Sequence, residues 1–272
     1  MRALIRACHP EPTVAVTAIT TVLAASVGRG IRGSVLVALT VLVGQLSVGW
    51  SNDWIDASRD RSSLRADKPV VSGDVGRSTL RRAALLAAAL CVPLSLANGV
   101  AAGVVHIVAV ASAWSYNLGL KSTLLSWLPY AVSFGLLPVF VTLGLATPVV
   151  PPTWAIASGA LLGIGAHLAN VLPDIEHDRV QGVHGLPQRL GARRTRMVAP
   201  VPLALASLLL VFGPSGNPTL LAWIGLALVA LLLGALVLDR HDASAPRRAF
   251  TVAIGIAVVD VVLFVLSGST LA

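Results

Sequence analysis

Two short acidic stretches of the chain share one spacing of oxygen-bearing side chains. The first, NDWIDASRD, places Asn52, Asp56 and Asp60 at intervals of four residues, and the second, NVLPDIEHD, repeats that spacing. In a continuous helix such residues project from one face, about 6 Å apart along the axis. The first stretch therefore predicts a stripe of oxygen ligands. In the second stretch, Pro173 removes a backbone donor and would kink or restart the helix.

The second stretch supplies the matching set Asn170, Asp174 and Asp178. Four carboxylates that converge on a half-buried cavity repel one another, and their pKa values rise unless a cation joins them. Oxygen ligands favour hard ions, and Mg²⁺ usually takes one or two carboxylates and completes its shell with water and substrate phosphates. Two facing stripes therefore suit a diphosphate bridged by metal ions, which neutralise it as a leaving group. An isolated D-x3-D would read more simply as a solvated face, but two copies with matched asparagines argue against that.

Basic side chains that could bind phosphate oxygens lie beside both acidic stretches. Phosphate accepts hydrogen bonds from arginine forks and from lysine ammonium groups alike. Cytoplasmic loops carry Lys and Arg in any case, so each residue alone is equally compatible with that simpler explanation. The candidates are Arg65 and Lys68 after the first stretch, Lys121 in YNLGLKST, and Arg179 directly after the second stretch.

The elements that must position these residues are predicted to be membrane-spanning helices. Of the 272 residues, 56% are hydrophobic and 12% are charged, a composition far from that of soluble domains. Nine apolar stretches approach the ~20 residues that cross a hydrocarbon core. They cover roughly residues 12–28, 34–52, 80–97, 100–118, 124–146, 154–172, 197–213, 219–238 and 247–268.

The distribution of charge predicts one membrane domain with a defined orientation. No hydrophilic stretch is long enough for a separate soluble domain, so residues 1–272 are predicted to form a single unit. Lys and Arg concentrate at the N terminus and in every second loop, whereas the opposite loops hold only Arg29 and Arg32. The positive-inside rule places the N terminus in the cytoplasm and, with an odd helix count, the C terminus outside. Both acidic stretches then fall in cytoplasmic loops, about 53–79 and 173–196, which we expect to carry the active site.

Composition also argues against other classes of function. The net charge of +8 arises from basic residues beside membrane spans, where anionic lipid attracts them, so we expect contact with membrane lipid and no nucleic-acid partner.

Cys8 and Cys91 suggest neither a disulfide nor a metal site. Asp260, in the last span, is predicted to face the bundle interior as a hydrogen-bond acceptor. His106 and His167 lack a second His or Cys at ligand spacing and are predicted to be packed or hydrogen-bonded.

At these residues the chain resembles the UbiA superfamily of intramembrane prenyltransferases. The resemblance rests on nine predicted helices and four motifs: N-D-x2-D-x3-D, an R-x2-K-P-x3-G tail, Y-N-x3-K and D-x3-D. The segment NVLPDIEHDRVQGVHGLPQRLG is most similar to the menaquinone and chlorophyll synthase branches, but Val171 stands where related motifs often carry Asp or Asn. The resemblance implies an all-α bundle of about nine transmembrane helices, open sideways to lipid, with a cytoplasmic cap.

The resemblance also implies roles for individual residues and a cofactor, Mg²⁺. Two Mg²⁺ ions would hold a polyprenyl diphosphate beneath the cap. The residues implied as catalytic are Asp56, Asp60, Asp174 and Asp178, and these four together with Asn52 would bind the metal. Those implied as diphosphate-binding are Asn52, Asp53, Arg65, Lys68, Tyr116, Lys121, Asn170 and Arg179.

The predicted function is Mg²⁺-dependent transfer of a prenyl group from a polyprenyl diphosphate to a lipophilic acceptor, aromatic or a quinone precursor. A UbiA-type terpene cyclase, in which the allylic cation attacks its own double bonds without an acceptor, is the alternative, and the choice stays open at this point. A third hypothesis is a lipid or ion transporter with the acidic stripes as a cation site. Transporters hold such sites near the membrane midplane, whereas both stretches follow the predicted cytoplasmic ends of helices.

Overall fold

The computed structural model describes residues 2–62, 68–238 and 245–271, and within these ranges every regular element is a helix. The α-helices are α1 (Arg2–Ala7), α2 (Pro10–Ser26), α3 (Gly30–Ser62), α4 (Pro69–Ser72), α5 (Arg77–Leu96), α6 (Val100–Leu118), α7 (Leu128–Leu143), α8 (Thr153–Val171), α9 (Ile175–Val180), α10 (Leu186–Val198), α11 (Pro200–Phe212), α12 (Leu220–Leu238) and α13 (Ala245–Leu266). Three short 3₁₀ helices cover Leu120–Ser122, Leu172–Asp174 and Gly268–Thr270. The prediction of an all-α chain is confirmed.

Each of the nine predicted apolar stretches coincides with one helix: α2, α3, α5, α6, α7, α8, α11, α12 or α13. In the described part of the chain, four helical units are long and apolar enough to cross a membrane alone, namely α3, α5, α6 and the Thr153–Val180 unit. The pair α10 and α11, bent by 43°, would make a fifth. The helix α7 and the apolar parts of α12 and α13 are shorter. The count of nine spans therefore stays a prediction.

Helix packing brings the motif-bearing helices together. The helix α3 packs against α2, α5 and α6, α7 packs between α6 and α8, and α11 and α13 cover α8. Glycines in α8 allow a close approach to α7, because a Cβ on Gly163 would lie 2.4 Å from the Tyr130 carbonyl oxygen and one on Gly159 would lie 2.7 Å from that of Phe134. Large apolar side chains such as Ile31, Val100 and Leu220 stay exposed on the outer surface, as lipid contact requires.

One end of the bundle gathers the motif residues, and we call it the motif end. It contains the C-terminal ends of α3, α6 and α8, the 3₁₀ helix Leu120–Ser122, and helices α1, α4 and α9. Its parts are joined by side-chain contacts between distant segments: Asn52 Nδ2 donates to Asn117 Oδ1 at 3.1 Å, and Ser126 Oγ lies 3.1 Å from His167 Nε2. Away from this end, the bundle has an apolar core that includes Leu23, Val37, Phe140 and Val141.

Candidate active site

The first acidic motif lies on a continuous helix. The helix α3 runs without a break to Ser62, so Asn52, Asp56 and Asp60 share one face, as the four-residue spacing predicts. Residues 53–62, which the sequence placed at the start of a loop, are helical. The side chains of Asp53, Asp56 and Asp60 are 1%, 8% and 6% exposed. Carboxylates at this depth need compensating partners.

Asp56 is compensated by two cations of the protein itself. Lys121 Nζ donates to both carboxylate oxygens of Asp56 at 2.5 Å, and Arg59 Nη2 lies 2.6 Å from Asp56 Oδ2. Burial lowers the pKa of Lys121, and the charge of Asp56 opposes that shift. From the sequence we expected metal and diphosphate to supply the compensation. The structure shows that the buried Lys121 and the partly buried Arg59 supply it for Asp56.

Asp53 has a second pair of partners. Its Oδ1 atom accepts a hydrogen bond from Lys68 Nζ at 2.7 Å and lies 3.0 Å from His9 Nε2. The same His9 nitrogen is 3.2 Å from Lys68 Nζ, so the three side chains form a closed triangle. The Lys68 ammonium also lies within electrostatic range of Asp60. Lys68 therefore stands between two carboxylates of the first motif.

The Y-N-x3-K element is fixed to α3 through Asn117. This buried amide donates through Nδ2 to Ser51 Oγ at 2.8 Å and to the Val48 carbonyl at 3.0 Å, and its Oδ1 accepts from Asn52. Tyr116, which precedes Asn117 in α6, and Lys121, in the 3₁₀ helix that follows α6, therefore lie beside the first motif. The sequence identified Tyr116 and Lys121, but Asn117 is the residue that anchors the element.

The second acidic motif is broken, as Pro173 led us to expect. The helix α8 ends at Val171, a 3₁₀ turn covers Leu172–Asp174, and α9 begins at Ile175. Asn170 and Asp174 are exposed, whereas Asp178 is half-buried and accepts a hydrogen bond from Gln188 Nε2 at 2.8 Å. Arg179 is exposed and lies 3.7 Å from Glu176.

The two motifs lie close enough for carboxylates of both to influence Tyr116 and Arg59 electrostatically. The carboxylates of Asp56 and Asp178 both lie within electrostatic range of the Tyr116 hydroxyl group, and Asp178 lies within the same range of Arg59 and Asp174. The structure thus brings Asp56, Asp60, Asp178, Lys68, Lys121 and Tyr116 to one place. Asn170 and Arg179 make no described contact with the first motif, and Arg65 lies outside the described residues.

Three side chains of the site were not recognised from the sequence. Arg59 could have been found, because it lies one helical turn after Asp56, where ion pairs form readily. His9 and Gln188 could not, because their contacts depend on how α2 and α10 fold back onto the motif end.

An aromatic cluster lies between the motifs and the bundle interior. The Tyr116 ring meets the Tyr130 ring edge-on, with centroids 5.2 Å apart, and it meets the His167 ring edge-on at 5.6 Å. The rings of Tyr130 and Phe134 stack at 6.4 Å. Such π faces can stabilise a nearby positive charge.

A small, largely apolar cavity of about 40 Å³ lies deeper in the bundle. Val48, one turn before Asn52, and Ala113, one turn before Tyr116, are part of its wall, and Phe134 joins it to the aromatic cluster. Gln45 and His106 add polar groups to the wall. Concave apolar spaces with few polar groups are typical of ligand sites.

The donor set fits magnesium, although it is not a preassembled cluster. Among the described residues, no group of three or more His, Cys, Asp or Glu side chains is arranged to hold a metal ion. Mg²⁺ does not require such a group, since it takes one or two carboxylates and relies on water and phosphate oxygens for the rest. The Asn and Asp residues of the two motifs offer only oxygen ligands, and Asp174 is exposed. The chemistry of these donors therefore suits Mg²⁺ bound together with a phosphate ligand.

Other titratable residues have structural partners, as predicted. Asp260 Oδ1 accepts a hydrogen bond from Ser207 at 2.6 Å inside the bundle. His106 Nδ1 lies 2.8 Å from Ser95 Oγ, and its ring packs on Phe140 with centroids 4.7 Å apart. Asp260 and His106 therefore serve helix packing.

Comparison with solved structures finds membrane proteins of the same fold. A digeranylgeranylglyceryl phosphate synthase in membranes matches with a TM-score of 0.74 and 17% identity over 99% of both chains. A UbiA homologue from Archaeoglobus fulgidus, bound to DMAPP and Mg²⁺, matches with a TM-score of 0.70 and 15% identity over 99% of this chain and 100% of that one. An apo UbiA homologue from Aeropyrum pernix K1 gives 0.66 and 20% identity over 93% and 98%.

These structural matches show the fold, and the sequence match shows the family. No curated protein sequence matches the chain significantly. The model of the UbiA prenyltransferase family matches residues 13–259. Together with its long apolar helices, this match shows that the chain is an integral membrane protein and belongs to the UbiA prenyltransferase family.

Proposed function

We propose that this protein transfers a prenyl group from a polyprenyl diphosphate to a lipophilic acceptor, aromatic or a quinone precursor, with Mg²⁺ as cofactor. The observation that carries the proposal is the position of Tyr116, within electrostatic range of a carboxylate from each acidic motif. Charge distribution along the sequence supports a cytoplasmic motif end and an external C terminus. Residues 1–272 would act as one domain.

The Lys and Arg side chains of the site would change partners when the polyprenyl diphosphate binds. Lys121 and Arg59 neutralise Asp56, and Lys68 neutralises Asp53. A diphosphate offers these groups stronger acceptors, so the ammonium and guanidinium groups would turn to its oxygens and leave carboxylate oxygens available. The residues that would hold Mg²⁺ are Asn52, Asp56, Asp60, Asp174 and Asp178, with Asp53 and Asn170 in support. Bound Mg²⁺ neutralises the diphosphate and so makes it a better leaving group.

Chemistry would take place at C1 of the prenyl group. The C1–O bond breaks, its electron pair leaves with the diphosphate, and the developing allylic cation faces the rings of Tyr116 and Tyr130. The π electrons of these rings stabilise the positive charge. A nucleophilic atom of the acceptor then bonds to C1 and releases a proton.

The prenyl chain would extend from the motif end into the apolar cavity. Val48 and Ala113 lead from the motifs into this space, and burial of a hydrocarbon chain there is favourable. An Archaeoglobus fulgidus homologue of the same fold has been solved with GPP and Mg²⁺, which supports a prenyl diphosphate as the substrate.

Diphosphate release by the purified protein in lipid tests the proposal. The donors are geranyl, farnesyl and geranylgeranyl diphosphates with Mg²⁺, each with and without naphthoate, benzoate or glycerol-phosphate acceptors. We expect release that requires one acceptor and stops when Mg²⁺ is chelated. Release with a cyclic product and no acceptor would replace the transferase by a terpene cyclase. No release from any combination would contradict the proposal.

A further inference from the structure

The N-terminal segment, residues 2–9, lies on the motif end and precedes the part of the chain that matches the family model. Trp50 Nε1 donates to the Leu4 carbonyl at 2.9 Å. The backbone at Cys8 approaches α3 so closely that a Cβ on Gly49 would lie 2.3 Å from the Cys8 carbonyl oxygen. A small apolar cluster fixes the rest of the segment, in which Ala7 is fully buried. The segment is therefore docked on α3.

The same segment also holds the part of the chain that carries Lys68. The helix α1 contacts α4, which begins at Pro69 directly after Lys68. Val70 of α4 is buried in the same apolar cluster as Ala7, and Arg6 Nη1 lies 3.5 Å from Asp74 Oδ2 just beyond α4. Lys68 is thus positioned by contacts that the N-terminal segment makes.

His9 makes the direct contact with the site, and its backbone is unusual. Its φ of 54° makes it the one residue other than glycine with a positive φ among the residues that the structure describes. A side chain rarely adopts this left-handed conformation unless its surroundings impose it. Here the conformation joins the docked segment to α2 and directs the imidazole at Asp53 and Lys68.

Hydrogen-bond capacity explains what His9 contributes. Asp53 Oδ2 is buried without a hydrogen-bond partner among the described residues. The charge of this carboxylate is therefore stabilised by the two partners of Oδ1, Lys68 and His9. The His9 Nε2 atom donates to Asp53 in one neutral tautomer and accepts from Lys68 in the other. Acceptance from Lys68 keeps the Lys68 Nζ atom beside Asp53, whereas donation to Asp53 gives Oδ1 its second partner, and further donors of the ammonium group stay available in both cases.

We propose that His9 is a positioning residue that, together with Asp53, holds the Lys68 ammonium group toward the diphosphate of the substrate. The inference rests on the proposed function, because it assumes that the motif end binds a diphosphate. It extends the site to the N-terminal segment. Loss of His9 should weaken diphosphate binding and leave the reactivity of the bound substrate nearly unchanged.

The first test compares kinetic constants of His9→Ala, His9→Gln and the matched control His184→Ala, which removes an exposed histidine. We expect His9→Ala to raise KM for the prenyl diphosphate roughly tenfold, as loss of one charge-assisted contact implies, with little change in kcat or in KM for the acceptor. His9→Gln, whose amide can still donate to Asp53, should recover most of the loss. An unchanged donor KM in His9→Ala would overturn the inference.

A second test keeps His9 and displaces the segment that carries it. Gly49→Ala forces the Cys8 backbone away from α3 and should raise KM for the donor as His9→Ala does. Lys68→Ala combined with His9→Ala should cost no more than Lys68→Ala alone, since both changes remove one interaction. Fully additive effects of the two substitutions would overturn the role of His9 in positioning Lys68.

Binding of inorganic pyrophosphate with Mg²⁺, measured by calorimetry in lipid nanodiscs, separates this inference from the proposed function. We expect the wild type to bind pyrophosphate and His9→Ala to bind it roughly tenfold more weakly. Equal affinities would overturn the inference even if prenyl transfer is shown. A wild type that binds pyrophosphate but releases none from any prenyl donor would instead overturn the proposed function.

Discussion

The two acidic motifs have the same spacing and different structures. The first lies on the unbroken helix α3, with its carboxylates buried and with Asp56 clamped between Lys121 and Arg59. The second lies across the end of α8, where Pro173 introduces a 3₁₀ turn and leaves Asp174 exposed. Identical residue intervals therefore produce one motif whose carboxylates are buried and ion-paired and a second motif that is more exposed.

The difference suggests that the two motifs contribute differently to stability and to ligand binding. The first motif is bound into the bundle by ion pairs, so its residues serve stability as well as binding. The second motif has fewer partners, with Gln188 donating to Asp178 and Asp174 exposed, so in the proposed function its carboxylates would be available to a metal ion. The following substitutions test this division, from the largest expected effect to the smallest.

Asp56→Ala should have the largest effect, because it removes a proposed metal ligand and leaves the buried charge of Lys121 and the partly buried charge of Arg59 without Asp56. We expect diphosphate release to fall below detection and the free energy of unfolding to drop by about 3–5 kcal/mol. Thermal unfolding in lipid measures the second effect, with Glu11→Gln, an exposed carboxylate, as control. A variant with normal stability would show that the clamp does not hold the first motif.

Asp174→Ala should abolish diphosphate release without a loss of stability. Its side chain is exposed, and substitutions at such positions usually change stability by less than about 0.5 kcal/mol. The same release and unfolding measurements apply. If turnover stays normal, the second motif does not bind the metal; if the unfolding midpoint falls as in Asp56→Ala, the two motifs are not divided as described.

Lys121→Ala should reduce kcat/KM for the donor by roughly 100-fold, since a buried charge-assisted contact to the diphosphate is lost and Asp56 keeps only Arg59. Lys121→Arg retains the charge but not the compact ammonium geometry, and we expect a smaller fall in kcat/KM for this variant than for Lys121→Ala. Steady-state kinetics with varied donor concentration measure both variants. Equal activity of Lys121→Ala and the wild type would show that Lys121 does not bind the diphosphate.

Pro173→Ala tests whether the break in the second motif matters. Without the proline, α8 can continue toward α9, since the missing backbone donor is restored. We expect the Mg²⁺ concentration for half-maximal activity to rise about threefold as the carboxylates rotate away from the first motif. An unchanged Mg²⁺ dependence would show that the break does not set their position.

Arg179→Ala should have the smallest effect. The side chain is about half exposed and its pairing with Glu176 is loose, and such surface pairs contribute little. We expect less than about a twofold change in donor KM and no change in the unfolding midpoint. A tenfold rise in KM would restore the sequence-based expectation that Arg179 binds the diphosphate.

Much of the fold could be predicted from the sequence, because long apolar stretches in a membrane can only form helices. The continuation of α3 to Ser62 could not, since residues 52–62 are mostly polar and their helix is held by distant partners such as Asn117 and Lys121. Pro173 did predict the break in the second motif, because a proline effect on the backbone is local.

The motif residues of the candidate site were predictable, but their charge compensation was not. Spacing alone cannot show that Lys121 pairs with Asp56 across 65 residues or that His9 reaches Asp53 across 44. Both contacts depend on how separate helices end beside each other. The sequence therefore did not show that Lys and Arg side chains compensate Asp53 and Asp56 in this structure, and compensation by metal and diphosphate stays a prediction.

The central claim is that both motifs hold one diphosphate, and a double-mutant cycle on binding tests it most directly. The affinity of a non-reactive prenyl diphosphate analogue is measured with Mg²⁺ for the wild type, Asp60→Asn, Asp174→Asn and the double variant. If the motifs share one ligand, the double variant should bind little more weakly than the weaker single variant, because coupled sites are not additive. Single variants that bind as the wild type does, or losses that simply add, would contradict the claim.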